Sequence, residues 1–355
     1  MHKLAPGVRL SEGAATDRGG RGMVKMHALR VDLARSTLSI RPLVRSIAQR
    51  TPLTELARGH KNVVAAVNTG YFDFATGAPT QPLVVAGRLL VASARRQRVI
   101  GVDANNRLQA GRVGLSATVS VGQTTQRLTG INTVGPSRLA VYDPSWGTTP
   151  IPTGPSSVVR PVIHRRLGEV SARNVPATVP NNGYELVAGP RAASWLSQQP
   201  AGTPVHLTTH LRVSSRRKAK APRAFEQAFG VGTKVVSGGV ARTGLACNSA
   251  GTVQPARTAI GIAEHGTVLV IGEVEDHPGT KVHGLDEDQM GMFMKQLGAD
   301  RAWNLDGSGS TELLARMPHQ RSLSLRTYPA DGKERRMPVG LGIFYAPKHD
   351  HRHSK

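Results

Sequence analysis

The sequence predicts an α+β domain, a twisted mixed or antiparallel sheet with a few covering helices in a single unit. Three observations predict it. Short runs of Val, Ile, Leu and Ala recur along the chain, each closed by Gly, Pro, Asn or Asp. A strong helical period marks one segment near the C-terminus. No internal repeat or linker divides the 355 residues, a length that one large domain or two ordinary ones could fill.

Residues 1–22 read as a loose leader, because 10–22 are rich in Gly and charge. The domain is expected over 23–347, beginning with strands at 26–31 and 37–42. A short helix follows, with Thr51 as N-cap, Pro52 in its first turn and Leu53 and Leu56 on one face. The apolar run 63–67 is a buried strand that delivers a polar segment, 68–73, at its end. The middle alternates strand-like stretches (83–85, 89–91, 99–102, 113–121) with turns, and antiparallel hairpins are the natural reading. Residues 143–157 form an irregular loop. Two strands, 259–263 and 267–271, flank a Gly-containing turn. The helix at 286–297 places Met290, Phe293, Met294 and Leu297 on one face, with acids in its first turn and Gly298 to close it. Strands at 302–305 and 339–345 finish the domain, and the His-rich tail 348–355 is expected to be disordered.

Composition narrows the functional classes. Lys+Arg 46 against Asp+Glu 23 gives a formal charge of +23, with 35 of the 46 being Arg. Such a surface attracts polyanions: nucleic acid, anionic membrane or a phosphate-rich polymer. Aromatics at 4% argue against a single-strand binder built on stacked bases. A lone cysteine, Cys247, excludes an internal disulfide. No run of about 18 apolar residues predicts a membrane span, and the first residues lack the apolar core of a signal peptide. The basic run 216–223 reads as a solvated loop. No Gly-Lys-Ser/Thr closes a phosphate loop, no Gly-x-Ser-x-Gly elbow precedes a helix, and no Cys/His spacing suggests zinc.

Two loops carry chemistry. In 68–73, Asn68 can donate and accept, Gly70 permits close backbone approach, Tyr71 and Phe72 offer a wall, and Asp73 supplies a carboxylate. In 304–311, Asn304 and Asp306 precede the small residues Gly307, Ser308, Gly309, Ser310 and Thr311, whose amides and hydroxyls could cradle an anion. Arg257 and Thr258 open a strand, where a guanidinium could clamp an oxyanion. Glu275, Asp276 and His277 could act as acid or base groups or hold a metal. A divalent cation could bind among these carboxylates, although no ligand spacing marks one and no cofactor is certain.

In combination and order, Asn68-Thr69-Gly70-Tyr71-Phe72-Asp73, Arg257-Thr258-Ala259-Ile260-Gly261, the 286–298 helix and Asn304-Leu305-Asp306-Gly307-Ser308-Gly309-Ser310-Thr311 resemble the phosphodiester glycosidase family. That family includes the lysosomal N-acetylglucosamine-1-phosphodiester α-N-acetylglucosaminidase and bacterial secreted relatives. Thr69, Tyr71 and Ser308 stand where the family motifs carry Gly, Phe and Gly. The resemblance implies hydrolysis of the anomeric bond of a sugar-1-phosphodiester, on a phosphate-containing glycan, by a secreted or cell-envelope protein. It implies Asp306 as base or nucleophile with Asp73 and Asp276 as alternatives. Arg257 and the amides of 307–310 would sit on the phosphate, and Asn68 and Asn304 on sugar hydroxyls. Two rivals are a non-catalytic module that binds wall polymer or nucleic acid, and a glycoside hydrolase or phosphodiesterase on the same scaffold.

Overall fold

The computed structural model describes residues 1–16, 20, 22–135, 138–171, 176–214, 224–245 and 254–347. The chain is mostly strand and has few helices, as expected, but it forms three sheets rather than one. An eight-stranded antiparallel sheet runs in the spatial order His2–Ala5, Val8–Thr16, Met23–Asp32, Val268–Val274, Arg257–Ala263, Arg301–Asn304, Lys234–Ser237, Val240–Ala241. A five-stranded antiparallel sheet has Val63–Asn68 at its centre, between Leu313–Ala315 and Gly340–Tyr345. The middle of the chain supplies a twelve-stranded sheet, antiparallel apart from the pairing of Gly130–Ile131 with Leu139–Tyr142.

The stretch expected to be a loose leader is instead two strands. Val8 and Leu10 are wholly buried while Arg9 between them is exposed, a period of two that the Gly-rich, charged composition around it obscures. The short helix begins at Leu53 with Pro52 as its N-cap; Thr51 is drawn off into a two-way backbone pairing with Met337. The rest of the expected leader (17–19 and 21), the basic run 216–223, Cys247 and the tail 348–355 lie outside the described residues.

Alternation along the strands builds two cores from one sheet. Leu29, Val31, Ile260, Ile262, Leu269 and Ile271 face the five-stranded sheet and join one buried cluster with Ile40, Val67, Leu341 and Ile343. The opposite parity, Ala259, Ala263, Val268 and Val270, packs beneath the Glu287–Gln296 helix against Met290 and Met294. Burying each of those methionines is worth about 1.5–3 kcal/mol. The helix lies close because two strand positions lack side chains. A Cβ on Gly272 would sit 2.8 Å from Met294 Sδ, and one on Gly261 would sit 2.9 Å from the Ala299 Cβ. Its start is fixed by a capping box: Asp286 Oδ1 accepts from the Gln289 N–H at 2.7 Å, and the Asp286 N–H donates to Gln289 Oε1 at 2.9 Å. Gly298, at φ +86°, follows its end.

One step beyond the last apolar row, the inner face changes character. Glu12, His27, Glu273 and Thr258 occupy directly paired positions on four adjacent strands. This polar row lies at the same end of the sandwich as the loop that leaves Asn68.

Candidate active site

The two motif loops are fastened to each other and to the large sheet through Asn68. Its side-chain amide donates to the Asp306 carbonyl at 2.7 Å, and its Oδ1 accepts the Thr258 hydroxyl at 2.7 Å. The backbone adds Asp306 N–H to Thr69 carbonyl at 3.0 Å, Leu305 N–H to Thr258 carbonyl at 2.9 Å and Ser308 N–H to Ala256 carbonyl at 2.7 Å. Thr69 in turn donates its hydroxyl to the Val339 carbonyl at 2.9 Å. Asn68, Thr258 and Thr69 are all buried, so their polar atoms hold loops in place.

The Asp306 carboxylate stands half-buried in the cradle formed by its own loop. Oδ1 accepts the Gly307 N–H at 3.0 Å and Oδ2 accepts the Ser310 hydroxyl at 2.7 Å. Burial raises its pKa, and the Ser310 and Gly307 bonds and the Arg335 charge oppose that rise. Arg335 reaches the same hydroxyl at 3.3 Å, pairs with Asp331, and covers the Phe74 ring at 5.5 Å. Its backbone N–H donates to Glu312 Oε1 at 2.6 Å. Asp306, Ser310, Arg335 and Glu312 therefore form one connected network.

Behind this network lies a group of buried acids. Burial pushes Glu312 up to about 8. Glu273 is raised well above the usual carboxylate range by burial, with the Glu312 and Glu275 charges adding to it. Neither oxygen of Glu273, nor Oε2 of Glu312, has a hydrogen-bond partner. Glu275 goes the other way. Burial would raise it, but bonds from His27 (2.7 Å) and His277 (2.5 Å) outweigh that and hold it at about 2. His277 also stacks on Tyr328 at 4.1 Å.

The other expected residues fall into separate places. Asp73 accepts the Thr76 N–H and hydroxyl at 2.7 and 2.8 Å, which lower its pKa and tie it into its own turn. Asp276 is half-buried and raised by burial, with the His277 and His283 charges opposing. Arg257 donates its Nε to the Leu285 carbonyl at 2.5 Å, on the helix-facing side of the sheet. Asn304 lies on that side too, giving its amide to Glu287 at 2.6 Å and leaving Oδ1 without a partner. The Thr311 hydroxyl is buried and likewise unpaired. Gly70 is pressed between Gln81 Oε1 and the Gly230 carbonyl, each 2.6 Å from where a Cβ would stand, and the partly exposed Tyr71 ring covers Gly232. Ser308 adopts φ +54°, the left-handed region that favours glycine. A Cβ on Gly309 would overlap the Asp331 carboxylate and the Arg335 guanidinium. Among the described residues no group of three or more His, Cys, Asp and Glu is set to hold a metal ion.

Sequence reasoning passed over Glu273, Glu287, Glu312, His27 and Arg335. The signal for two of them is visible: Glu273 is a lone acid inside Val-Leu-Val-Ile-Gly-Glu-Val, and Glu312 directly precedes the apolar run Leu-Leu-Ala. A charge in an otherwise buried strand needs a reason.

The sequence profile that describes phosphodiester glycosidases matches residues 163–344. The chain belongs to the phosphodiester glycosidase family. The match takes in Arg257, Glu273, Glu275, Asp306, Glu312 and Arg335, while Asn68 and His27 join the site from outside it. Among solved structures, a hypothetical protein from Synechocystis superposes with a TM-score of 0.77 at 19% identity, over 96% of this chain and 63% of that one. The chain thus spans under two thirds of that protein's length. A Burkholderia pseudomallei protein described as exported gives 0.72 at 20% identity, over 91% and 74%. The catalytic domain of zebrafish N-acetylglucosamine-1-phosphodiester α-N-acetylglucosaminidase, auto-inhibited by its pro-peptide, gives 0.50 at 16% identity, over 98% and 86%. These likenesses establish the fold. No curated protein matches the chain in sequence.

Proposed function

We propose that this protein hydrolyses the anomeric C–O bond of a sugar-1-phosphodiester, releasing a free sugar and a phosphomonoester. The observation that carries the reading is the setting of Asp306: an oriented carboxylate held by an N–H and a hydroxyl, with the Arg335 guanidinium on the same hydroxyl. Asp306 acts on the anomeric carbon, either directly as nucleophile or as the base that takes a proton from water. The bond to the phosphodiester oxygen breaks with its electron pair leaving on phosphate, and water supplies the new hydroxyl of the sugar. Phosphate is a good leaving group, so little proton donation is needed. The larger demand is to stabilise negative charge as it develops on phosphate, which Arg335 would meet; the Gly307, Ser308 and Ser310 N–H groups are already given to Asp306 Oδ1, the Ala256 carbonyl and the Gly307 carbonyl, and the Arg257 Nε to the Leu285 carbonyl. Asn68 is spent on the loops, and Asn304 is buried on the helix-facing side with its amide on Glu287, so neither side chain is open to a sugar hydroxyl. Asp276 and His277, both half-buried, would offer further polar groups to the substrate, and Asp73 is left to its turn.

The charge of +23 favours a polyanionic glycan as the natural substrate, and the likeness to a protein described as exported favours a secreted or envelope location. Hydrolysis of a sugar-1-phosphodiester in ¹⁸O-labelled water tests the reaction. Label in the sugar hydroxyl and none in the phosphate is the expected result. Label in the phosphate would make this a phosphodiesterase, and no product with any sugar-1-phosphodiester would leave a binding module.

A further inference from the structure

Four arginines far apart in sequence meet around strand ends of the twelve-stranded sheet. The Ala94 N–H donates to the Thr129 carbonyl at 3.0 Å, the Thr129 N–H to the Leu139 carbonyl at 2.7 Å, and the Gly189 N–H to the Arg138 carbonyl at 2.5 Å. These bonds stitch together the ends of Arg88–Ser93, Thr124–Leu128, Leu139–Tyr142 and Gly183–Ala188. As a result Arg127, Arg138 and Arg191 line one depression, and Arg95 and Arg138 line a second that shares Ala94, Thr129 and Arg138 with it. All four arginines are exposed. No carboxylate is found among the described residues lining either depression. Grouped guanidinium charge without a counter-charge is held at a cost in self-repulsion that a bound anion removes.

One depression also shares lining residues with the neighbourhood of the Asp306 loop. The second is lined by Pro79 and Gln81, and these same two residues line a small cavity with Thr69, Gly70 and Tyr71. Thr69 is the residue whose carbonyl holds the Asp306 N–H. Pro79 and Gln81 therefore stand between the arginine groove and the segment that holds the Asp306 loop.

We propose that this arginine groove is a binding track for a linear glycan carrying repeated phosphates, holding phosphates of the same chain that the Asp306 site would cleave. The proposal rests on the hydrolytic reading of that site. Nucleic acid fits less well, because no aromatic ring is found among the described residues that line the groove for base stacking. Its polar walls (Thr80, Ser93, Gln97, Thr129, Thr133) instead offer hydroxyls and an amide to sugar hydroxyls.

The test compares the parent with Arg127→Gln/Arg138→Gln/Arg191→Gln and with a charge-matched control, Arg41→Gln/Arg58→Gln/Arg321→Gln, whose sites are exposed and outside the groove. Binding of a sugar-1-phosphate polymer, and of single-stranded DNA with equal charge, is measured by anisotropy across a salt series. The groove variant is expected to bind the polymer at least tenfold more weakly. Its log K against log salt slope should shrink by about 0.7–0.9 per arginine removed. It should still cleave a monomeric sugar-1-phosphodiester at the parent rate. Equal loss in the control, unchanged polymer binding in the groove variant, or parent binding to DNA as tight as to the polymer would each overturn the proposal. Binding is read without turnover, so absence of product would sink the hydrolytic reading alone. The single variant Arg138→Gln, at the shared position, provides a milder change in the same direction.

Discussion

Thr258 gives its hydroxyl hydrogen to Asn68 Oδ1 at 2.7 Å across 190 residues of sequence, and both side chains are buried. The bond joins the central strand of the five-stranded sheet to the eight-stranded sheet beside the Asp306 loop. Thr258→Val keeps the shape and leaves Asn68 Oδ1 with only the Glu312 N–H at 3.5 Å. It should cost about 1–3 kcal/mol, measured by urea unfolding. Asn68→Ala also frees the Asp306 carbonyl and should cost more. A double-mutant cycle that returned no coupling would show that the bond does not tie the loops together.

Ser308 and Gly309 make opposite predictions within one turn. Ser308→Gly relieves the left-handed backbone at φ +54°. About 1–2 kcal/mol of strain is removed, against about 0.4–1 kcal/mol lost to the freer unfolded chain. A small gain in Tm is expected, with activity retained. Gly309→Ala should leave Tm nearly unchanged, because the atoms in its way are the flexible ends of Asp331 and Arg335. It should nevertheless lower kcat/KM by displacing Arg335 from Ser310. Loss of fold in Gly309→Ala with Arg335 still in place would contradict that account.

Much of the frame was legible because local rules and tertiary structure agree. The 286–297 helix has its capping acid, its apolar face and its closing glycine in sequence, and it forms from Glu287 to Gln296. The buried 63–67 run ends at Asn68 as expected. The two motif loops were legible by resemblance, but what they touch was not. Asn68 looked like a sugar ligand because a sequence shows donors and acceptors without their partners. Glu273, Glu312 and His27 enter through cross-strand register, which joins residue 27 to residue 273 and has no local signal. The leader was misread for a related reason: composition outweighed a four-residue alternation at 8–11.

Asp306→Asn separates chemistry from architecture. The amide oxygen can keep the Gly307 N–H, and the new NH2 can donate to the Ser310 hydroxyl oxygen once that hydroxyl turns its hydrogen away, so Tm should move little. Turnover of a sugar-1-phosphodiester should fall by at least about 10³-fold, on the order of losing a group that acts only in the transition state. Asp73→Asn, confined to its Thr76 turn, should retain turnover within about tenfold, with any loss appearing in stability. Near-normal turnover in Asp306→Asn would move the assignment to Asp276.

The buried acids set a pH dependence whose sign follows from their shifts. Glu312, pushed by burial to about 8 from 4.5, binds its proton more tightly in the folded chain than in the unfolded one. Its contribution is therefore fully present below about pH 4.5 and is lost as pH rises through about 8. Glu185, also pushed to about 8 by burial, and Glu273, raised by burial and by Glu312 and Glu275, act in the same direction. Glu275 acts oppositely: its stabilisation is present above about pH 4.5 and fades as pH falls toward about 2. Stability should thus peak in mildly acid solution and decline toward pH 8. Each raised group contributes at most about 1.4 kcal/mol per pH unit to that decline. Glu312→Gln removes one such contribution while keeping an acceptor for the Arg335 N–H, so its urea midpoint should fall less steeply between pH 5 and 8 than that of the parent. Parallel profiles for the two proteins would show that Glu312 is ionised in the folded state.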